Sequence, residues 1–393
     1  MSLNHVVVNT PVDPPRHEPL PFRDRQLAIF QEGTALRIEV LIKAVELRVE
    51  PRLSGISIHV WDVVYEVEPA PGQLLHIKTG KGNDKVLMLT DASTLAVIET
   101  GEGDDEVHLQ RMGSAQTGGS VVVGAGPGAD RVIAKGQADV EIEGGSGNDL
   151  IVSDADLGML HCGPGDDRVY VEGGRAIIEA LTGDNRLTTG ALDDRVYGRV
   201  GNVTPVDGFD APLMHSLDDA SLPQAYTQTF DIQGSPEYIQ HVIRHLNVLR
   251  ASPTASVLLE DLVARNVKVK IEHSDMLDNA TAGYDRAQGG AGVVNGSRGA
   301  RIQEMVVSYN PLVHMPGFPS LVILYHELCH AWNFATGSIL GNGEMQAVGL
   351  DSGQPPFDFD DDAATPAVST NPDPFNENAL RRELGLPARL TYP

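Results

Sequence analysis

Basic residues are scarce in this chain: 29 Lys and Arg stand against 54 Asp and Glu, a formal net charge of −25. A surface of that sign repels phosphate backbones and anionic bilayers, which argues against nucleic acid as a partner and favours cations or a basic protein. Cysteine is nearly absent. Cys162 and Cys329 are too few and too far apart for a disulfide framework, so the fold must rest on its cores, and a reducing cytosol suits it. No run of apolar residues approaches the roughly 18 that a membrane span needs. The first residues, MSLNHVVVNTPVDPPRHEPLPFRDR, lack the charged-then-apolar layout of a secretory signal peptide. A length of 393 residues leaves room for two or three domains.

What is abundant is glycine followed closely by aspartate. Residues 1–25 are proline-rich and polar and are expected to be disordered, as a plain tail or as a leader recognised while unfolded. From about residue 26 to 200, short β-branched runs alternate with turns reading G-x-G-x-D that end at Asp84, Asp105, Asp130, Asp149 and Asp167. A degenerate sixth is Gly183-Asp184-Asn185. The spacings of 21, 25, 19 and 18 residues predict a parallel β-solenoid, one coil per repeat, with glycine supplying left-handed backbone at the corners. The turns resemble the nonapeptide of the RTX calcium-binding β-roll, although there the motif occurs on both sides of each coil. Two readings stand for the five aspartates. They hold calcium along one edge, as hard oxygen ligands can, or they only close turns and solvate the surface.

Residues 201–225 loosen in composition and are expected to be a linker. Beyond them, residues 226–393 predict a compact α+β domain. Helices start at Ser235-Pro236 and Ser252-Pro253, strands at VKVKIEH and RIQEMVVSYNP, and a glycine-rich loop or hairpin lies between those strands. Within SLVILYHELCHAWNFATG, His326 and His330 flank Glu327 in the pattern H-E-x-x-H. Residues four apart share a helix face, so both imidazoles can reach one metal ion, and Glu327 is placed to hold a metal-bound water. Pro319-Ser320 and Gly337 supply start and stop signals. Cys329 falls between the metal-facing positions and is expected in the core. A catalytic zinc needs a third protein ligand. The third histidine of metzincins is missing, because Asn333 and Thr336 stand at the positions that would carry its G and H. An acidic ligand downstream is left, and both Glu344 and Glu377 qualify. The acidic run Asp358 to Asp362 is expected to be a solvated loop.

Four blocks in order carry a family resemblance: YNP (309–311), HELCHAWNFATG (326–337), EMQAVGL (344–350) and ENALRRELGLPARLTY (377–392). Residues from about 229 onward resemble the NleD-like type III effector zinc metallopeptidases, which bacterial pathogens inject into host cells. The resemblance implies a zincin-like, gluzincin-type endopeptidase. It would be made in a bacterial cytoplasm, secreted without a classical signal peptide, with a secretion chaperone and a host protein substrate as partners. A more distant likeness to clostridial neurotoxin light chains implies Glu344 rather than Glu377 as the third zinc ligand. It also implies Arg389 and Tyr392 as donors to the transition state, with Glu377 and Arg381 orienting the ligands. Without that likeness, Arg389 and Tyr392 read as a tail. The competing reading of the whole chain is a calcium-stiffened binding or adhesion module with an inactive or structural zinc domain. The intact Glu327 argues against it.

Overall fold

The structure, a computed structural model, describes residues 4–8, 22–112, 119–189, 193–199, 203–205, 213–217, 219–277, 279–313 and 317–392. It divides into two compact units, Met1–Met214 with His314–Gly317, and His215–Val313 with Phe318–Pro393.

The first unit is a β-solenoid built from two eleven-stranded sheets. From Leu75 onward, successive strands alternate between the sheets, and each pairs in parallel with the strand one coil earlier. Alternate side chains therefore point inward, and Ile77, Ile98, Val123, Ile142 and Leu160 stack with Val86, Val107, Val132 and Ile151 into one continuous core. Corner glycines make this stacking possible. At Gly145 a Cβ would lie 1.9 Å from the carbonyl oxygen of Gly126, and φ is +99°, so any other residue would force the coils apart.

The turn aspartates point into the coil rather than out to solvent. Oδ1 of each accepts the backbone N–H of its counterpart one coil earlier: Asp105 from Asp84 at 2.7 Å, Asp130 from Asp105 at 2.7 Å, Asp149 from Asp130 at 2.8 Å and Asp167 from Asp149 at 2.8 Å. Val45 donates to Asp84 at one end, and Asn185 accepts from Asp167 at the other. Each of the five carboxylates has its Oδ2 buried without a hydrogen bond. Burial pushes the carboxyls of Asp105, Asp130, Asp149 and Asp167 up, to about 7 for Asp130 and Asp167, where like charges on adjacent coils add to it. One oxygen of every aspartate is thus committed to the backbone, in contrast to the solvated-surface reading of these turns.

The edges of this unit differ from expectation. Residues 27–67 add antiparallel hairpins, Leu27–Glu32 with Ala35–Val40, and Glu46–Pro51 with Ile56–Val60 and Val63–Val67, while Ala35–Val40 and Glu46–Pro51 themselves pair in parallel with Leu75–Lys81 and Lys85–Thr90 of the next coil. Such hairpins cover the sheet edges that the first coil would otherwise leave open. Asn4–Val8, expected to be disordered, is a strand parallel to Val63–Val67, and Phe22–Arg23 pairs with Leu27–Glu32; the rest of the expected leader up to residue 21 lies outside the described residues. The expected linker also contributes strands. Val203–Pro205 and Leu213–Ser216 each add a last strand to one sheet, because three or four residues suffice where a preceding coil already offers a template.

The second unit is mixed α/β. Its sheet runs Phe230–Gln233, Lys268–His273, Glu304–Tyr309, Thr281–Tyr284; the first three are parallel and the last is antiparallel at the edge. Six helices accompany it: α1 (Gln224–Thr229), α2 (Pro236–Ala251), α3 (Ala255–Ala264), α4 (Ser320–Thr336), α5 (Gly343–Val348) and α6 (Glu377–Glu383). Every residue of α4 is buried, and Gly337 ends it with φ 64°. A helix enclosed on all sides is held in one position. Trp332 fixes it laterally, stacking on Phe375 at 4.2 Å and donating to Asp261 at 2.8 Å. Cys329 lies in this core, as expected.

Candidate metal centre

Two turns of chain bring a carboxylate to the α4 histidines. Asn342 caps α5 by accepting the Met345 N–H, which puts Glu344 in the first helical turn. Its Oε2 lies 3.1 Å from Nε2 of His326 and 3.1 Å from Nε2 of His330, and those two nitrogens are 3.1 Å apart. Glu377 stands on the other side of the His326 ring. Asn376 caps α6, and Glu377 Oε2 accepts from His326 Nδ1 at 2.9 Å. Between the two candidates for a third ligand, Glu344 therefore faces the shared nitrogens and Glu377 faces the opposite edge.

The donor set fits a divalent cation. The Glu377 carboxyl is held down to about 2: burial raises it, but His326 and Arg381 more than offset that. As a carboxylate it only accepts, so His326 carries its proton on Nδ1 and turns the Nε2 lone pair toward Glu344 and His330. Lone pairs converging at 3.1 Å repel unless a positive ion sits among them. Ligands about 2.0–2.1 Å from a tetrahedral ion lie roughly 3.3 Å apart, close to the observed triangle. With a proton as the only cation, His326 is pushed up to about 9; burial opposes this, and the Glu344 and Glu377 carboxylates outweigh it.

Glu327 opens onto a cavity of about 350 Å³ together with His330, Glu344, Tyr392 and the segment from Asn279 to Ala282. Burial raises its pKa, and the two histidines pull the other way. The edge strand Thr281–Tyr284 packs on α4, and the backbone of Ala282 hydrogen-bonds Glu327.

The chain beyond α6 returns to this cavity. Asn378 clamps it by accepting the Arg389 N–H at 2.7 Å and donating to the Arg389 carbonyl at 2.9 Å. Arg389 then reaches Glu377 Oε2 at 3.2 Å and lies over the rings of Phe318 and Tyr392. Tyr392 stacks on His326, with centroids 6.2 Å apart and planes 15° apart. Arg381 donates to Glu377 Oε1 at 2.6 Å. Sequence reasoning did not single out Asn378 or Phe318, and neither stands in a pattern that marks it; their roles exist only once the tail has folded back. The edge strand was equally hidden, because TAGY reads as part of a glycine-rich loop.

Residues 226–392 match the M91 peptidase family of effector proteins. Neither the curated proteins nor the solved structures compared with the chain yield a match. The M91 region coincides with the second unit and ends at Tyr392, so the candidate metal centre lies wholly within it. No helix among the described residues is long and apolar enough to cross a membrane.

Proposed function

We propose that the M91 region is a zinc-dependent endopeptidase that cleaves a host protein after delivery from a bacterium. The observation that carries this reading is the 3.1 Å triangle of His326, His330 and Glu344 beside a buried Glu327. His326, His330 and Glu344 would hold the ion, and Glu377 would fix His326 from behind. When bound, zinc supplies Lewis acidity, polarising a carbonyl and lowering the pKa of water.

The remaining chemistry belongs to the side chains. A substrate in extended form fits beside the exposed edge of Thr281–Tyr284, where backbone hydrogen bonds would align it along the cavity. Glu327 takes the proton of the attacking water on its carboxylate and passes it to the nitrogen of the leaving amine. The Tyr392 hydroxyl is the donor for the carbonyl oxygen as it gains charge; Arg389, tied to Glu377, holds the tyrosine ring in place. The test is cleavage of host-lysate proteins by the full chain, wild type against Glu327→Gln. The variant should retain its zinc and fold while turnover falls by about 10²–10⁴-fold. Equal cleavage by the variant would refute this assignment.

A further inference from the structure

A second group of metal-ligating side chains lies in the solenoid, away from the turn aspartates. In the strands Asp139–Glu143 and Leu157–His161, Val140, Ile142 and Leu160 point into the solenoid core. Glu141, Glu143 and His161 alternate with them and so stand together on the opposite face of that sheet. The two strands are parallel neighbours with Glu143 directly opposite His161. The adjoining backbone bond, from the Gly144 N–H to the His161 carbonyl at 2.8 Å, locks that register.

His161 Nε2 lies 3.8 Å from Glu141 Oε1 and 3.7 Å from Glu143 Oε1. Those separations suit ligands of one ion, since donors about 2.0–2.2 Å from a metal can be at most about 4.3 Å apart. One atom of each residue lies within 4.8 Å of the others. On the next coil Glu179 follows in register with His161, but its Oε1 is taken by the Leu181 N–H at 3.0 Å. An imidazole donor disfavours calcium and magnesium, which take oxygen ligands, and favours zinc or a neighbouring first-row ion.

We propose that Glu141, Glu143 and His161 form a second metal site that binds a divalent transition-metal ion and clips two adjacent coils of the solenoid together. It is independent of the endopeptidase reading. A clip of this kind stabilises only the folded coils, because the unfolded chain does not hold the three donors together.

The test is zinc stoichiometry of the full chain after chelator treatment and equilibration with zinc. Wild type should hold two ions, His330→Ala one, and His330→Ala with His161→Ala none. His161→Ala alone should lose one ion whether or not the site on α4 binds metal, so failure of either assignment shows separately. Glu143→Gln preserves shape and guards against a folding defect in the histidine variant; it should weaken one site by at least tenfold. Adding chelator to His330→Ala should lower its melting temperature, and the double variant should show no such response. A wild-type ion count in both His161→Ala and Glu143→Gln would overturn the proposal.

Discussion

Asp130 in the solenoid and Glu377 behind the candidate metal centre are buried to the same degree, 2% and 1% exposed, yet they hold their protons in opposite ways. Asp130 is pushed up to about 7 by burial, with like charges on the adjacent coils. Glu377 is held down to about 2 despite its burial, because His326, Arg381 and Arg389 surround it. Depth alone does not set the charge of a carboxyl group; the partners that replace water do. In the solenoid the partner is a single amide per aspartate, enough to satisfy one oxygen and too little to hold a full negative charge. Beside the candidate metal centre, two guanidinium groups and the His326 Nδ1–H make the charge cheaper inside than out.

The largest effect that follows is at the metal-facing end of this contrast. Glu344→Ala should remove the metal and take proteolysis below detection, because two imidazoles alone leave the site short of a ligand; metal analysis and a cleavage assay check it. Glu377→Gln comes next. It leaves Arg381 and Arg389 without their anion, an effect of about 3–5 kcal/mol for a broken buried pair. It also weakens metal affinity about 10–100-fold by loosening His326, readable by melting and by competition with a chelator. Tyr392→Phe should be milder: turnover falls about 10²-fold through one lost donor, with metal content and melting temperature unchanged. An undiminished rate would make the tail a structural strap only.

The smallest effect sharpens the solenoid side. Asp130 has a folded pKa above its unfolded value of 3.8, so its contribution is fully present below about pH 4 and is lost as pH rises through 7. The solenoid should therefore melt at a lower temperature at pH 8 than at pH 5. Asp130→Asn should raise the melting temperature at pH 8 and leave it unchanged at pH 5, since the neighbouring ladder already ends on an amide at Asn185. If the second oxygens of these aspartates also take calcium, millimolar calcium at pH 8 restores what ionisation removes. No calcium-dependent shift would leave the ladder to the backbone alone.

Much of this was legible in the chain itself. The G-x-G-x-D recurrence marks coils because only stacked corners need glycine at so regular an interval, and α4 announces itself through Pro319, Gly337 and the histidine spacing. The pairing of residues 27–67 was not legible. An alternating strand has the same pattern whether its neighbour runs parallel or antiparallel, and nothing in ALRIEV or ELRVEP names its partner. The aspartates were ambiguous for a chemical reason, since a carboxylate accepts a backbone N–H as readily as it binds a cation. Likewise Glu344 and Glu377 are both acidic residues beyond His330, and only the caps at Asn342 and Asn376 decide which edge of His326 each one meets.

The direction of the hydrogen bonds in the solenoid has a mechanical consequence. Between coils they run along the axis of the stack, so a pull on the chain at one end loads only the outermost coil. Rupture then proceeds as peeling, 18 or so residues at a time near Asp149 and Asp167, each step at a modest force. A pull from the N-terminal side meets Asn4–Val8 on Val63–Val67 first, and that strand with the hairpins of residues 27–67 acts as a latch. Once that latch opens, the coils behind it offer a sequence of similar, small obstacles rather than one large one.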